Sequence, residues 1–306
     1  MNQDSNPAAG RPARLAVGII GAGRAGTALG AALARAGHQV VAASAVSDAS
    51  LRRAHANFPD AVITEPGQVL RRADLAVLTV PDDALPGLVS GLAATGAPLE
   101  GRMLVHASGR YGLAVLEPAT RQGALPLALH PVMTFTGRPD DVDRLHGTSF
   151  GVTAPEVLRP AAEALVIEMG GEPVFIAEEH RDLYHAALAG AANHLVTLVA
   201  QAMDLLRAAG VAEPARLLAP LLSASLDNAL RFGDSGLTGA VARGDAATVA
   251  AHVAALEAVA GSTVPAAPAV AAYVAMARLT ADRALAAGIL RPADAERLLD
   301  VLGGRP

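Results

Sequence analysis

The chain has 306 residues, 52% of them hydrophobic, with a net charge of -5 and no cysteine. That is enough for a large core and two domains, offers no broad basic face to nucleic acid or an anionic membrane, and excludes disulfides and thiolate chemistry. All 24 basic residues are arginine, so Schiff-base catalysis, a P-loop lysine and a lysine general acid are excluded too.

Residues 1–12 are polar, with no apolar run of the kind a signal peptide carries, and read as a disordered tail. From Leu15 onward, short apolar runs alternate with amphipathic stretches. Leu15–Ile20, Gln39–Ala43, Ala61–Thr64, Leu75–Val80, Met103–His106 and Leu125–Leu129 read as strands. Phe150–Thr153 and Pro173–Ile176 extend the sheet. Ala25–Ala36 reads as a helix closed by Gly37. This alternation predicts an α/β fold with a doubly wound parallel sheet over residues 13–177. From Glu178 the strand-like alternation ends, and residues 178–306 read as an all-helical second domain. The uncharged stretch Ala258–Ala277 contains Pro265 and Pro268. It reads as one helix ending and another starting rather than as a membrane span. An enzyme of this kind, with no disulfide, is expected in the cytoplasm.

Gly21-Ala22-Gly23-Arg24-Ala25-Gly26 follows an apolar strand and opens a helix, the context a dinucleotide-binding loop requires. Gly21 allows the tight turn, Gly23 the close approach of a pyrophosphate, and Gly26 the packing of helix on sheet. At the end of the second strand stand Ser44 and Ser47, with no acid at the strand end itself. These serines with Arg24, and Arg52 and Arg53 beyond, are candidate donors to a 2′-phosphate and favour NADP(H) over NAD(H). Asp48, two residues late, reads as a helix N-cap. Val80-Pro81-Asp82 ends the fourth strand, stops it, caps the next helix and faces the cofactor's ribose and nicotinamide.

Three further segments put polar residues where a core has no need of them. His106-Ala107-Ser108-Gly109 closes the fifth strand and His130-Pro131 the sixth, at the sheet edge where ligands bind. Tyr184-His185 and Asn193-His194 interrupt an apolar helix from Leu183 to Leu206. On ideal α geometry His185, Ala189 and Asn193 share one stripe; either they meet a ligand or they satisfy neighbouring backbone. Glu178-Glu179-His180 reads as a solvated helix start. Arg243, in a glycine-containing turn, is placed to clamp a carboxylate, and Asp245 reads as the N-cap of the helix carrying Thr248 and His252. The scattered histidines show no metal-binding spacing.

Taken together and in order, these motifs, through Thr238-Gly239 and Arg243-Gly244-Asp245, resemble a bacterial family of Rossmann-like proteins with a C-terminal domain of unknown function. That family is similar to pyrroline-5-carboxylate reductases and 6-phosphogluconate dehydrogenases. One departure is Ala240, where proline is expected. The resemblance implies an NADP-dependent oxidoreductase whose helical domain, of the 6-phosphogluconate dehydrogenase kind, helps form a homodimer. Some members look like alternative ketopantoate reductases, so ketopantoate, a substrate of pantothenate synthesis, is the expected substrate. Imine reduction and NADP(H) sensing without turnover are the alternatives, and a deazaflavin coenzyme is a further one. Related hydroxyacid dehydrogenases use a helical-domain lysine that this chain lacks. His185 is therefore expected as general acid, with Asn193 and Ser108 orienting the carbonyl and His106, Gly109, His130 and Arg243 holding the substrate.

Overall fold

The computed structural model describes residues 14–259 and 266–303. The expected N-terminal tail and the proline-marked break after residue 259 lie outside them. The first unit alternates strand and helix: β1 (Ala16–Ile20), α1 (Arg24–Arg35), β2 (Gln39–Ser44), α2 (Asp48–Asn57), β3 (Val62–Ile63), α3 (Pro66–Arg72), β4 (Leu75–Leu78), α4 (Leu85–Ala94) and β5 (Met103–His106). It continues through α5 (Glu117–Thr120), β6 (Leu125–Pro131), β7 (Ser149–Thr153), α6 (Arg159–Glu168), β8 (Glu172–Phe175) and α7 (Arg181–Ala189).

The eight strands form one sheet in the order β3-β2-β1-β4-β5-β6-β7-β8. The reversal on either side of β1 marks a doubly wound sheet, and it puts the β1 and β4 ends at the switch point where such folds bind ligands. One pairing departs from the parallel expectation: β7 runs antiparallel to β6, with His130 opposite Gly151. The connection of residues 132–148 returns the chain beside β6 without a crossover helix.

Apolar cores cover both faces. On one, Val17, Ile19, Leu29, Leu33, Phe150 and Val166 pack together; on the other, Ile20, Leu70, Leu78, Val89 and Leu104. Successive residues of β1 thus face opposite layers, as the two-residue period of a strand requires. Gly37, φ +98°, follows the last turn of α1 as the expected glycine stop.

The chain divides into compact units at Gly190 and Ala191, so the first unit keeps α7 beyond the expected boundary at 177/178. The second unit is helical. After a π-turn (Gly190–His194) at the division come α8 (Leu195–Ala208), α9 (Pro214–Phe232), α10 (Gly239–Ala242), α11 (Ala246–Ala258), α12 (Ala266–Ala286) and α13 (Pro292–Gly303). Its core gathers Val249, Val274, Ala277, Ala281, Leu298 and Leu302.

Candidate functional site

The β1–α1 turn is locked from behind. Thr79 Oγ1 donates to the Gly21 carbonyl at 2.7 Å, and the Gly21 and Ala22 amides donate to the Ser44 carbonyl at 3.2 and 2.8 Å. A Cβ on Gly26 would collide with both the Gly21 carbonyl and Thr79 Oγ1. Gly21 itself has φ +97°. Gly23 differs: a Cβ there would have only the Gly21 carbonyl oxygen near it, at 3.9 Å. No side chain caps α1 at Gly23, which leaves the first-turn amides for an anion. An uncapped helix start beside an open face fits the pyrophosphate of a dinucleotide. Thr79 was not singled out in the sequence; a threonine before Val-Pro-Asp carries no motif by itself.

The β2 end is rearranged relative to expectation. Ser47, not Asp48, is the N-cap of α2: its Oγ accepts from the Ser50 amide at 3.2 Å. Asp48 falls in the first helical turn, where its charge suits the helix dipole. Ser44 is buried, and its Oγ accepts from the Gly21 amide at 3.2 Å. The stem of Arg24 passes the turn after β6: a Cβ on Gly137 would lie 3.0 Å from Arg24 Cγ. Arg53 Nε, in α2, is buried without a hydrogen-bond partner.

β4 ends at Leu78, so Val80 lies in the turn and not in the strand. Asp82 does not cap α4, whose N-cap is Ala84 with no side-chain bond; the backbone turn is closed instead by the Pro81 carbonyl. Asp82 is half-exposed, and its charge acts on both His106 and His130.

His106 is fully buried, and both ring nitrogens are used. Nε2 meets the Gly112 carbonyl at 2.8 Å and Nδ1 accepts from the Ser108 amide at 3.2 Å. Burial lowers its pKa to about 4. No ring nitrogen is left for a ligand, so the expectation that His106 holds a substrate gives way to a structural role: it folds the loop of residues 106–112. Glu178 anchors the adjoining residues, accepting from the Leu113 and Ala114 amides at 2.6 and 3.0 Å; with Glu179 and His180 it is exposed at the start of the helix, as expected, and the clamp is a second role. Ser108 Oγ accepts from the Tyr111 amide at 3.2 Å, which leaves its own proton to donate.

The loop so held presents Gly109 to two histidines. A Cβ there would lie 2.8 Å from His130 Nε2 and 2.8 Å from His185 Cδ2. The two rings meet edge to face, with centroids 6.4 Å apart. His130 Nδ1 is 2.8 Å from Tyr184 Oη. Its pKa is lowered to about 4, first by burial and then by the charges of Arg181 and His185. Gly109, His130 and His185 are therefore brought together as site residues, and Tyr184 joins them.

Arg181, one turn before Tyr184, is 2% exposed. Its Nε donates to Thr153 Oγ1 at 2.7 Å, and Nη2 to the Gly151 carbonyl at 3.0 Å and the Ala128 carbonyl at 3.3 Å. Its Nη1 has no partner. An unpaired buried donor costs about 1–3 kcal/mol; the guanidinium lowers the pKa of both His106 and His130, while the charge of Asp82 raises them. Sequence reasoning passed over Arg181, because an arginine at a helix start reads as surface.

Asn193 and Arg243 belong to the second unit. Asn193 is exposed, in the π-turn. That turn widens the helix, so the stripe drawn through His185, Ala189 and Asn193 on α geometry stops at Ala189. Arg243 is exposed after α10, between Gly239 (φ +92°) and Gly244 (φ +74°). Asp245 caps α11 as expected, accepting from the Thr248 amide at 3.0 Å.

A doubly wound sheet with an uncapped glycine turn at its switch point defines a Rossmann-type nucleotide-binding protein. Residues 1–131 match the family model of a Rossmann-like domain, and residues 148–280 match that of a domain of unknown function, DUF2520. The chain belongs to the proteins that join these two domains, in agreement with the resemblance its motifs carry. None of the curated proteins matches it in sequence. Among solved structures it is similar to a Bacteroides fragilis protein described as an NADP oxidoreductase, at 21% identity and TM-score 0.69 over 88% of this chain and 98% of that one. It is also similar to an imine reductase from Pseudomonas, at 21% identity and TM-score 0.63 over 95% and 100%. A reductive aminase from Aspergillus terreus solved with NADPH and ethyl levulinate is 18% identical, with TM-score 0.62 over 94% and 99%.

Proposed function

We propose that this chain is an NADPH-dependent reductase that delivers a hydride to a polarised double bond of a small molecule. One observation carries the reading: the uncapped, open glycine turn lies on the same sheet edge as the Gly109–His130–His185 cluster. NADPH would supply the hydride. Gly21, Gly23 and the first-turn amides of Arg24, Ala25 and Gly26 would hold the pyrophosphate, and Asp82 would face the ribose and nicotinamide. Ser44, Ser47 and Arg53, at the β2 end and on α2, are the groups we assign to the 2′-phosphate.

The cluster favours a carbonyl as the reduced bond. Hydride addition leaves negative charge on oxygen, and the neutral His130 beside the buried Arg181 guanidinium would stabilise that charge. The imine reading is supported by the activities printed for the Pseudomonas and Aspergillus structures. Ketopantoate is one member of the 2-oxo acid class, and nothing in the cluster selects it. Ser108 is assigned to orienting substrate in the working enzyme; Asn193 and Arg243 are assignments of the sequence alone.

The deciding experiment follows NADPH and NADH oxidation with ketopantoate, other branched 2-oxo acids and cyclic imines. Turnover of an oxo acid with NADPH preferred is the expected result. Turnover of the cyclic imines alone replaces the carbonyl reading with the imine one, and tight NADPH binding without turnover of any substrate leaves a sensor.

The working form is read as a homodimer. No residue of α8 is buried, and α9 buries only Pro214 and Leu218. Leu195, Val196, Leu198, Leu217, Leu221 and Leu230 are 44–80% exposed, apolar side chains of the kind that mark a protein interface. The helix Glu178–Ala208 is long and apolar enough to cross a membrane by length and composition. Asp204 and Arg207 on α8, and Arg216, Asp227 and Arg231 on α9, form ion pairs that suit the wet rim of a protein interface, so a second copy of this chain is the occupant we assign.

A further inference from the structure

Tyr184 is fixed more tightly than a surface phenol needs. A Cβ on Gly151 would collide with its hydroxyl, so the strand opposite His130 is bare where the phenol lies across it. Burial raises the pKa of the phenol oxygen, while Arg181 and the Gly151 amide act to lower it. That oxygen is 2.8 Å from His130 Nδ1, and the two rings meet edge to face at 5.7 Å. The guanidinium of Arg181 lies 5.7 Å from the centroid of the same phenol ring.

Which of Tyr184 and His130 donates follows the tautomer of His130. With its Nδ1 unprotonated, the phenol proton goes to that nitrogen. His130 is then the tautomer with its proton on Nε2, the nitrogen that faces Gly109.

We propose that Tyr184 supplies, through His130, the proton that completes the reduction, and that Arg181 beneath its ring holds the phenolate that remains. This rests on the reductase reading above. As the hydride reaches the carbonyl carbon, the carbonyl π pair moves to oxygen. The oxygen takes the proton from His130 Nε2, and His130 Nδ1 takes the phenol proton of Tyr184. Water then returns a proton to the phenolate, so the net reaction consumes one hydride and one proton. His130 is the catalytic residue in this scheme, and Tyr184 and Arg181 are positioning residues that act through it. The charged and titratable groups acting on His130 are Arg181, Tyr184 and His185 of α7, Asp82 after β4, and His106 of β5.

Two readouts separate this from a packing role. The first is the nitrogen resonances of His130 in the full-length labelled protein at neutral pH. Nδ1 is expected unprotonated and hydrogen-bonded, and Tyr184→Phe should shift it towards a free acceptor; a protonated Nδ1 in the wild type overturns the scheme. The second uses the fact that the chain has three tyrosines and no tryptophan, so phenolate absorbance is readable. Arg181→Gln should raise the titration midpoint of Tyr184, and Arg181→Lys should restore it; if Arg181→Gln fails to fold, Tyr184→Phe decides. On the substrate found above, Tyr184→Phe should lower kcat about 100-fold with the NADPH Kd unchanged. If the wild type turns over and Tyr184→Phe equals it, the relay is wrong and the reductase stands. If the wild type reduces no substrate, the reductase reading fails and the relay with it.

Discussion

At Gly26 there is no room for a methyl group, and at Gly23 there is. The two glycines of one turn therefore serve different ends, and substitution separates them. Gly26→Ala should lower stability by about 1–3 kcal/mol, the range for overpacking a tight contact, with cofactor binding lost alongside. Gly23→Ala should leave the melting temperature nearly unchanged yet weaken NADPH binding at least about tenfold, since its methyl group would stand where the pyrophosphate approaches. Thermal melts and NADPH titration of both variants check this pair. The buried histidines predict a pH dependence of the fold itself. His106 and His130 titrate at about 4, against an ordinary 6.5. Between those values the unfolded chain takes up protons that the folded chain refuses. Stability is thus complete above 6.5 and falls as pH drops toward 4, by at most about 1.4 kcal/mol per pH unit for each histidine. Urea midpoints measured at neutral pH and at about pH 5 test it, and His106→Asn should flatten the slope. A midpoint that stays put would place both groups in exposed surroundings.

Among the elements, α1 and α2 make a useful contrast. Both start at the carboxyl ends of neighbouring strands, but Ser47 closes the start of α2 and nothing closes that of α1. Ser47→Ala should cost about 1 kcal/mol in chemical denaturation; if Ser47 also serves a 2′-phosphate, the preference for NADPH over NADH should narrow. The element most misread from sequence is the long helix after Arg181. Its apolar period is plain, but the π-turn at Gly190–His194 leaves no mark in that period: a widened turn is set by what the side chains on either side must reach. Antiparallel β7 was equally hidden. Phe150–Thr153 is legible as a strand, but its direction follows from the path of residues 132–148, which no local pattern specifies. Phe150 is fully buried over Gly171, and Phe150→Ala should destabilise the first unit by about 3–5 kcal/mol.

For the whole molecule, the apolar faces of α8 and α9 predict assembly. Light scattering should give twice the mass of one chain, and Leu221→Glu with Leu230→Glu should give monomers of unchanged helicity. A wild-type monomer at micromolar concentration would remove the homodimer. The sequence by itself determined the doubly wound domain, the dinucleotide turn, the α1 glycine stop, the Asp245 cap and the helical second half. Each is written in residues close along the chain, where strand and helix periods, glycine conformations and capping chemistry act locally. Only the tertiary structure decided which polar residues serve the site. His106 was drawn into the loop of residues 106–112. Tyr184 and Arg181 were drawn in, because bonds across 54 residues between Tyr184 and His130, and across 30 between Arg181 and Gly151, depend on an antiparallel pairing and a bare glycine. No periodicity records such meetings; they exist only once two sheet strands and a helix end occupy the same few ångströms.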